Sequence, residues 1–202
     1  MTAWCDSDGN CFNNGDTAQC YGNTDKTYEL YPSYDKCPDG KYAYHGVCET
    51  CPAGSYCKDG DIADCGPGKW SVAGASSCQS ISAGCYGTNA DSACPAKCTA
   101  GTYSTGGAAT CSSVSAGCWG AEKATTACPN ECVAGTWSDG GDASCSPISA
   151  GCYGGAKSTS SCPNKCKAGT YRSSTGGTSQ SSCSNVDAGC WGAAGATKSC
   201  PS

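Results

Sequence analysis

Large aliphatic residues are nearly missing from this sequence. It contains one Leu, three Ile, five Val and one Phe among 202 residues. These ten residues are about 5% of the chain, and a share below ~20% is typical of chains that cannot build an ordinary hydrophobic core. The composition therefore argues against a conventional enzyme fold around a large buried sheet. No run of about 20 apolar residues occurs, so we expect no membrane span.

Charge and histidine are scarce as well. Charged residues make up 14% of the chain, and the net charge is −5. A nucleic-acid-binding face requires clustered Lys and Arg, so we expect no nucleic-acid partner. The single histidine, His45, leaves no Ser-His-Asp or Cys-His arrangement. We therefore expect no enzymatic activity, no catalytic residues and no cofactor.

Cysteine and glycine are abundant instead, with 23 Cys and 29 Gly. A cysteine share of about 11% indicates a disulfide scaffold, and disulfides persist in oxidising compartments. We therefore predict an extracellular or cell-surface location. Residues 1–25 contain no signal-peptide pattern, so we expect the numbering to start inside a longer precursor or at a mature end.

Metal binding is the alternative use of cysteine. Zinc sites need paired Cys-x-x-Cys segments, and Cys48 with Cys51 is the single one in the sequence. Residues 6–10 carry oxygen donors at alternate positions, as a calcium loop does. Cys11 stands where an EF-hand requires glycine, so a solvated turn is the favoured interpretation. We expect no metal site.

The cysteines recur in a tandem repeat. Three segments have the form Cys-Pro-x-x-Cys and begin at Cys94, Cys128 and Cys162. Each is followed by Ala-Gly-Thr and an aromatic residue, a Gly-Gly turn, another cysteine and an Ala-Gly-Cys-aromatic-Gly box. The segments start 34 residues apart, and the third repeat is four residues longer. The insertion falls between Cys166 and Cys183, where we predict an exposed loop because longer loops cost little additional entropy.

Four cysteines per repeat allow three connectivities. We favour pairing between neighbours in sequence, because short loops are the least costly to close. Closing a loop of about 15 residues stabilises the fold by about 3 kcal/mol. The predicted pairs are Cys37 with Cys48, Cys51 with Cys57, Cys65 with Cys78, Cys85 with Cys94, Cys98 with Cys111, Cys118 with Cys128, Cys132 with Cys145, Cys152 with Cys162, Cys166 with Cys183 and Cys190 with Cys200.

Three cysteines remain, Cys5, Cys11 and Cys20. An odd set in a secreted chain indicates an intermolecular disulfide, a free thiol or missing sequence. They fall in a Tyr- and Asp-rich segment, residues 1–36, which lacks the repeat. We divide the chain into this segment, cysteine-rich modules over 37–79, and about three and a half tandem repeats over 80–202.

Aromatic and hydroxyl residues recur with the repeat. Tyr103, Trp137 and Tyr171 could form a row that stacks a ligand, but we favour packing over the disulfides, since aromatic side chains bury large areas. No Asn-x-Ser/Thr sequon occurs. The Ser/Thr-rich loop at 171–182 is a candidate for O-linked glycans, and a plain solvated loop is the alternative.

Two groups of extracellular proteins carry similar strings. Residues 51–57, 65–71 and 74–78 resemble the ephrin-receptor-like and tumour-necrosis-factor-receptor-like cysteine-rich repeats. The repeated order of Cys, Ala-Gly-Thr-aromatic, Gly-Gly and Cys over 37–200 resembles the tandem repeats of the surface (immobilisation) antigens of ciliated protists. Both resemblances imply an extracellular ladder of disulfides, and neither implies a particular ligand.

Together these patterns predict a small disulfide-rich, all-β fold. We expect an elongated ladder of short β-hairpins and turns in tandem repeats of about 34 residues, with little helix because glycine and turn residues recur every few positions. The predicted function is structural: a self-associating surface coat, filament or surface antigen. Residues 1–36 of one copy could cap the last repeat of another. The alternative is a receptor or adhesin ectodomain that binds a protein or glycan.

Overall fold

The computed structural model describes residues 37–44 and 47–200 in full. Within residues 1–36 it describes the backbone of four short strands. Nearly all regular structure is antiparallel β, and no α-helix occurs in the described residues. A 3-10 turn, Gln180–Ser182, lies in the loop inserted into the third repeat. The predicted all-β, disulfide-rich class is confirmed.

Strands β1 to β4 form one four-stranded sheet in sequence order, and in the described residues nine two-stranded ladders of consecutive strands follow. The strands are β1 Trp4–Cys5, β2 Asn10–Phe12, β3 Thr17–Gly22, β4 Tyr28–Tyr31, β5 Lys41–Tyr44, β6 Val47–Thr50, β7 Ser55–Lys58, β8 Asp61–Asp64, β9 Lys69–Trp70, β10 Gln79–Ser80, β11 Cys85–Tyr86, β12 Ala96–Lys97, β13 Thr102–Tyr103, β14 Ser112–Ser113, β15 Cys118–Trp119, β16 Asn130–Glu131, β17 Thr136–Trp137, β18 Ser146–Pro147, β19 Cys152–Tyr153, β20 Asn164–Lys165, β21 Thr170–Tyr171 and β22 Ser184–Asn185.

The chain divides into two compact units. The first contains residues up to Gln79 together with Thr88–Ser92, and the second contains Ser80–Gly87 and Ala93–Ser202. The first unit holds the four-stranded sheet and the longer hairpins β5–β6 and β7–β8.

Two kinds of hairpin alternate in the second unit. We name them by their sequence: the AGT hairpin, such as β13 with β14, follows Ala-Gly-Thr, and the AGC hairpin, such as β15 with β16, starts in the Ala-Gly-Cys box. Their registers repeat, since Thr136 faces Pro147 as Thr102 faces Ser113. Strands of two residues are far below the usual five or six, so the hairpins need other restraints.

Disulfides supply that restraint. In the described residues ten bonds join cysteines that are neighbours in sequence, with Cα–Cα distances of 5.2 to 5.9 Å. The bonds join Cys37 to Cys48, Cys51 to Cys57, Cys65 to Cys78, Cys85 to Cys94, Cys98 to Cys111, Cys118 to Cys128, Cys132 to Cys145, Cys152 to Cys162, Cys166 to Cys183, and Cys190 to Cys200. These are the ten pairs predicted from the sequence by joining neighbouring cysteines.

Each repeat has a very small core beside its disulfides. One aliphatic residue stands four positions before the cysteine of each AGC box, and Ile81, Val114 and Ile148 are almost completely buried there. The first cysteine of each AGT hairpin is also buried, as Cys98 and Cys132 show at 0% exposure. Three of the five Ile and Val residues of the second unit therefore lie in these small cores.

A buried serine organises the Gly-Gly turn. The backbone amide of Gly106 donates to Ser104 Oγ at 3.2 Å, and that of Gly140 donates to Ser138 Oγ at 3.1 Å. In the third repeat Arg172 takes the place of this serine. Its Nη1 donates to the carbonyl of Ser182 at 2.9 Å, and its Nη2 donates to that of Thr175 at 2.8 Å. The guanidinium thus holds both sides of the inserted loop.

Removing one disulfide should open the ladder locally. We expect the Cys132→Ala, Cys145→Ala double variant to lose about 3 kcal/mol of local stability, because a 13-residue separation is no longer closed. Contacts in a repeat array run between neighbours, so hydrogen-exchange protection should fall in this repeat and its two neighbours. The matched control is Cys190→Ala, Cys200→Ala in the last repeat, which should leave residues 98–150 protected. A uniform loss of protection along the chain would contradict the expectation that contacts run between neighbouring repeats.

Candidate functional site

The surface by which one repeat packs on the next is the most regular feature of the second unit. It is built on glycines at positive φ, which place their Cα against the backbone of the following repeat. Gly117 has φ 76°, and a Cβ there would lie 2.6 Å from the carbonyl oxygen of Lys157. A Cβ on Gly84 would meet the carbonyl of Lys123, and one on Gly151 would meet that of Gly195. Glycine is required because a side chain would occupy the space of a backbone oxygen.

The AGT hairpins use a second glycine in the same way. A Cβ on Gly101 would meet the carbonyl of Gly141, and a Cβ on Gly135 would lie 2.6 Å from the carbonyl oxygen of Gly176. The contacting carbonyls belong to the Gly-Gly turns of the following repeats. Both kinds of hairpin therefore bury a glycine beneath the next copy of the repeat.

Backbone hydrogen bonds complete this surface and recur in register. The backbone amides of three glycines donate to backbone carbonyl oxygens of the following hairpin at 2.8 to 2.9 Å. The pairs are Gly84 with Ser104, Gly117 with Ser138, and Gly151 with Arg172. A second set runs in the opposite direction, from Gly107, Gly141 and Gly176 to the carbonyls of Ile81, Val114 and Ile148. The donors and acceptors are main-chain groups, so the interface depends on backbone shape more than on side-chain identity.

The repeat aromatics lie at the edge of this interface. Tyr103, Trp137 and Tyr171 each form an isolated parallel bridge with the next AGC hairpin, and all three are half-buried. In the fully described residues they form no ring pair with one another; the ring pair found there is Tyr42 with Tyr44, whose centroids are 6.2 Å apart. A stacked row of these three rings is therefore not formed.

In the last described repeat, no described residue packs on the corresponding glycines. Gly169 and Gly189 have φ values of 82° and 84°, but a Cβ on either would meet nothing within 4 Å. Val186 occupies the position of Ile148 and is only half-buried, and Trp191 is 76% exposed. The equivalent aromatics of the earlier AGC hairpins, Trp119 and Tyr153 among them, are half-buried.

The loop inserted into the third repeat lies at the surface, as the sequence predicts. In the loop predicted between Cys166 and Cys183, residues 173–175 are exposed. Lys157 and Glu131 form an exposed ion pair at 2.7 Å, which contributes at most about 1 kcal/mol.

No cluster of His, Cys, Asp or Glu in the described residues is arranged to hold a metal ion. The same residues include no helix long and apolar enough to cross a membrane.

Several predictions fall outside the described residues. They concern His45, the candidate calcium loop at 6–10, and the side chains of Cys5, Cys11 and Cys20. For these three cysteines the structure gives only the backbone register, in which Cys5 stands opposite Cys11. The proposed intermolecular disulfides therefore stay a prediction.

Two functional features were missed by the sequence reasoning, although both had a signal. The aliphatic residue recurs four positions before each Ala-Gly-Cys cysteine, at Ile81, Val114, Ile148 and Val186. The glycine of each Ala-Gly-Cys and Ala-Gly-Thr string recurs with it. Only the structure shows that these positions form the surface on which the next repeat packs.

A matched pair of glycine variants isolates this packing. Gly117→Ala and Gly189→Ala both place alanine at a similar positive φ, so both carry the same backbone strain, about 1–2 kcal/mol. Gly117→Ala also pushes the following repeat away, and we expect it to cost about 1–3 kcal/mol more. Local stability from hydrogen exchange, measured on monomeric protein, tests this difference. Equal losses in the two variants would show that close packing contributes nothing at Gly117.

No protein-family model matches the chain. A search of curated proteins also finds no similar sequence. We therefore infer function from the geometry of the repeats.

Proposed function

We propose that this protein is an extracellular structural protein that self-associates into a surface coat or filament. The observation that carries the proposal is the recurrence of one interface, made of the same backbone groups, between successive repeats of the second unit. A surface of this kind accepts copies of the same repeat.

The covalent structure supports a location outside the cytosol. Ten disulfides join the described cysteines, and bonds of this number persist in oxidising compartments. Closed loops of 6 to 17 residues also leave little chain that can enter a protease site. A durable exposed coat requires this resistance. The resemblance to protist surface antigens and to receptor-type cysteine-rich repeats supports the same location.

Glycans are a second part of the proposal. Ser173, Ser174 and Thr175 are exposed in the inserted loop, and we place O-linked sugars on these hydroxyls. Peptide mass spectrometry of residues 173–183 from protein of the native source should show hexose-type mass additions, while the shorter turn at 105–110 serves as the internal control. An unmodified 173–183 peptide in all preparations would contradict this assignment.

Assembly is the direct test of the structural function. Purified protein with intact disulfides should form larger regular species as its concentration rises, seen by sedimentation velocity and by negative-stain electron microscopy. Protein that is fully reduced and alkylated should lose these species, because its hairpins are no longer closed. Mock-treated protein with intact disulfides is the control. A monodisperse monomer that binds a protein or glycan saturably would contradict the proposal and favour the receptor or adhesin function.

A further inference from the structure

Charged side chains recur where one AGC hairpin meets the next. A first position directly precedes the first cysteine of each AGT hairpin and holds, in successive repeats, Lys97, Glu131 and Lys165. A second position lies five residues after the cysteine of the AGC box and holds, in the three later AGC hairpins, Lys123, Lys157 and Gly195. All five charged residues at these positions are exposed.

The backbone brings the second position of one AGC hairpin beside the first position of the hairpin before it. The amides of Lys123, Lys157 and Gly195 donate, at 2.8 to 2.9 Å, to the carbonyls of the cysteines that directly follow the first position, Cys98, Cys132 and Cys166. Glu131 Oε1 lies 2.7 Å from Lys157 Nζ. A Cβ on Gly195 would lie 3.3 Å from Cδ of Lys165. A side chain at the first position therefore lies over the residue at the second.

The same contact is not neutralised in the earlier pair of hairpins. There the repeated register places Lys97 and Lys123 where Glu131 and Lys157 form their ion pair. We call these two residues the lysine pair. Within the described residues the ion pair of Glu131 with Lys157 is the single one, so no carboxylate of these residues neutralises the lysine pair. Two ammonium groups in this arrangement repel each other, and a carboxylate brought between them would be attracted by both.

Negative charge is concentrated in the first unit. Residues 1–79 with 88–92 contain 12 Asp and Glu and 5 Lys, whereas the second unit contains 5 Asp and Glu and 7 Lys and Arg. The hairpin of β7 with β8 contributes three Asp and one Lys, and all four residues of β8 are exposed. Its turn, Asp59-Gly60, has φ values of 54° and 91°, which is typical of a tight two-residue turn. The exposed carboxylates of Asp59 and Asp61, which we call the acidic turn, are thus held close together.

We propose that the lysine pair binds the acidic turn of a second copy of this chain. Each copy carries one lysine pair and one acidic turn, so the charges that the contact requires are present in the chain itself. The two halves belong to different surfaces, and a contact of this kind can continue from copy to copy. The inference rests on the proposed structural function and specifies a surface through which the protein assembles.

Salt should weaken this contact. The charged groups lie at the surface, where ions screen them, and the Debye length falls from about 10 Å at about 0.1 M to about 3 Å at about 1 M ionic strength. We expect the concentration at which half of the protein is associated to rise over this range, measured by sedimentation velocity. Association that is as strong at about 1 M salt would contradict a contact made by these charges.

Two complementary variants test the two halves separately. Lys97→Gln with Lys123→Gln removes the lysine pair and keeps the acidic turn. Asp59→Asn with Asp61→Asn does the reverse, and Asn tolerates the positive φ of Asp59. For each variant alone we expect the concentration of half-association to rise at least about tenfold, from the loss of two charge contacts.

An equimolar mixture of the two variants should restore one contact. The acidic turn of the lysine variant can bind the lysine pair of the aspartate variant, and no further copy can then be added. We expect dimers with the affinity of the unmodified contact and no larger species. The matched control is Lys167→Gln with Lys198→Gln, which removes the same charge from exposed residues outside the lysine pair and should associate as the unmodified chain does.

The outcomes separate this inference from the proposed function. Loss of association in both variants, with dimers in their mixture, supports the contact. Association that is unchanged in either variant overturns the contact and leaves the structural function standing. Association that requires added heparin, used as a polyanion, also overturns it, because the lysine pair would then bind an anionic glycan. An unmodified chain that stays monomeric at every concentration, with or without heparin, overturns both proposals.

Discussion

One local disulfide closes each two-residue hairpin of the second unit, and the other contacts of the stack depend on that closure. A ladder of two residues per strand cannot persist alone in water, and one aliphatic side chain per repeat buries too little area to replace the missing core. Because Cys98 and Cys132 are fully buried, their disulfides act as both a covalent restraint and core volume. Cysteine is among the most readily buried residue types, so these buried cysteines replace part of the missing aliphatic core.

Closure of the hairpins makes the second requirement, close stacking, achievable. A hairpin with a fixed backbone can present amides and carbonyls at constant positions, and the next hairpin then bonds to them in the same register each time. Glycines such as Gly117 let the two backbones approach until a carbonyl oxygen occupies the space of a side chain. The stack is therefore held by main-chain groups, which tolerate the exchange of Tyr for Trp and Ile for Val between repeats.

The third repeat shows how the array accommodates change. Its Gly-Gly turn is preceded by Arg172 instead of the buried serine found at Ser104 and Ser138. The larger side chain spans the longer loop and bonds to the carbonyls of Thr175 and Ser182. The disulfide between Cys166 and Cys183 still forms across 17 residues, so the insertion stays local and the next hairpin keeps its bonds. An interface made of backbone groups can thus remain constant while loops vary.

The covalent framework and the local structure could be predicted from the amino-acid sequence. The spacing of the cysteines indicated the ten pairs, because short loops close at the lowest entropic cost, and glycine and turn residues at short intervals excluded helices. The surface by which each hairpin packs on the next became visible only in three dimensions. The roles of Gly117 and Val114 depend on backbone groups in the following repeat. The role of Arg172 depends on a backbone carbonyl of the inserted loop. The spacing of residues along the sequence gives no information about such close contacts between repeats. The same reason applies to Trp119 and Trp191, which share the Ala-Gly-Cys-Trp-Gly motif: only the packing of the described residues around them distinguishes the half-buried ring from the exposed one.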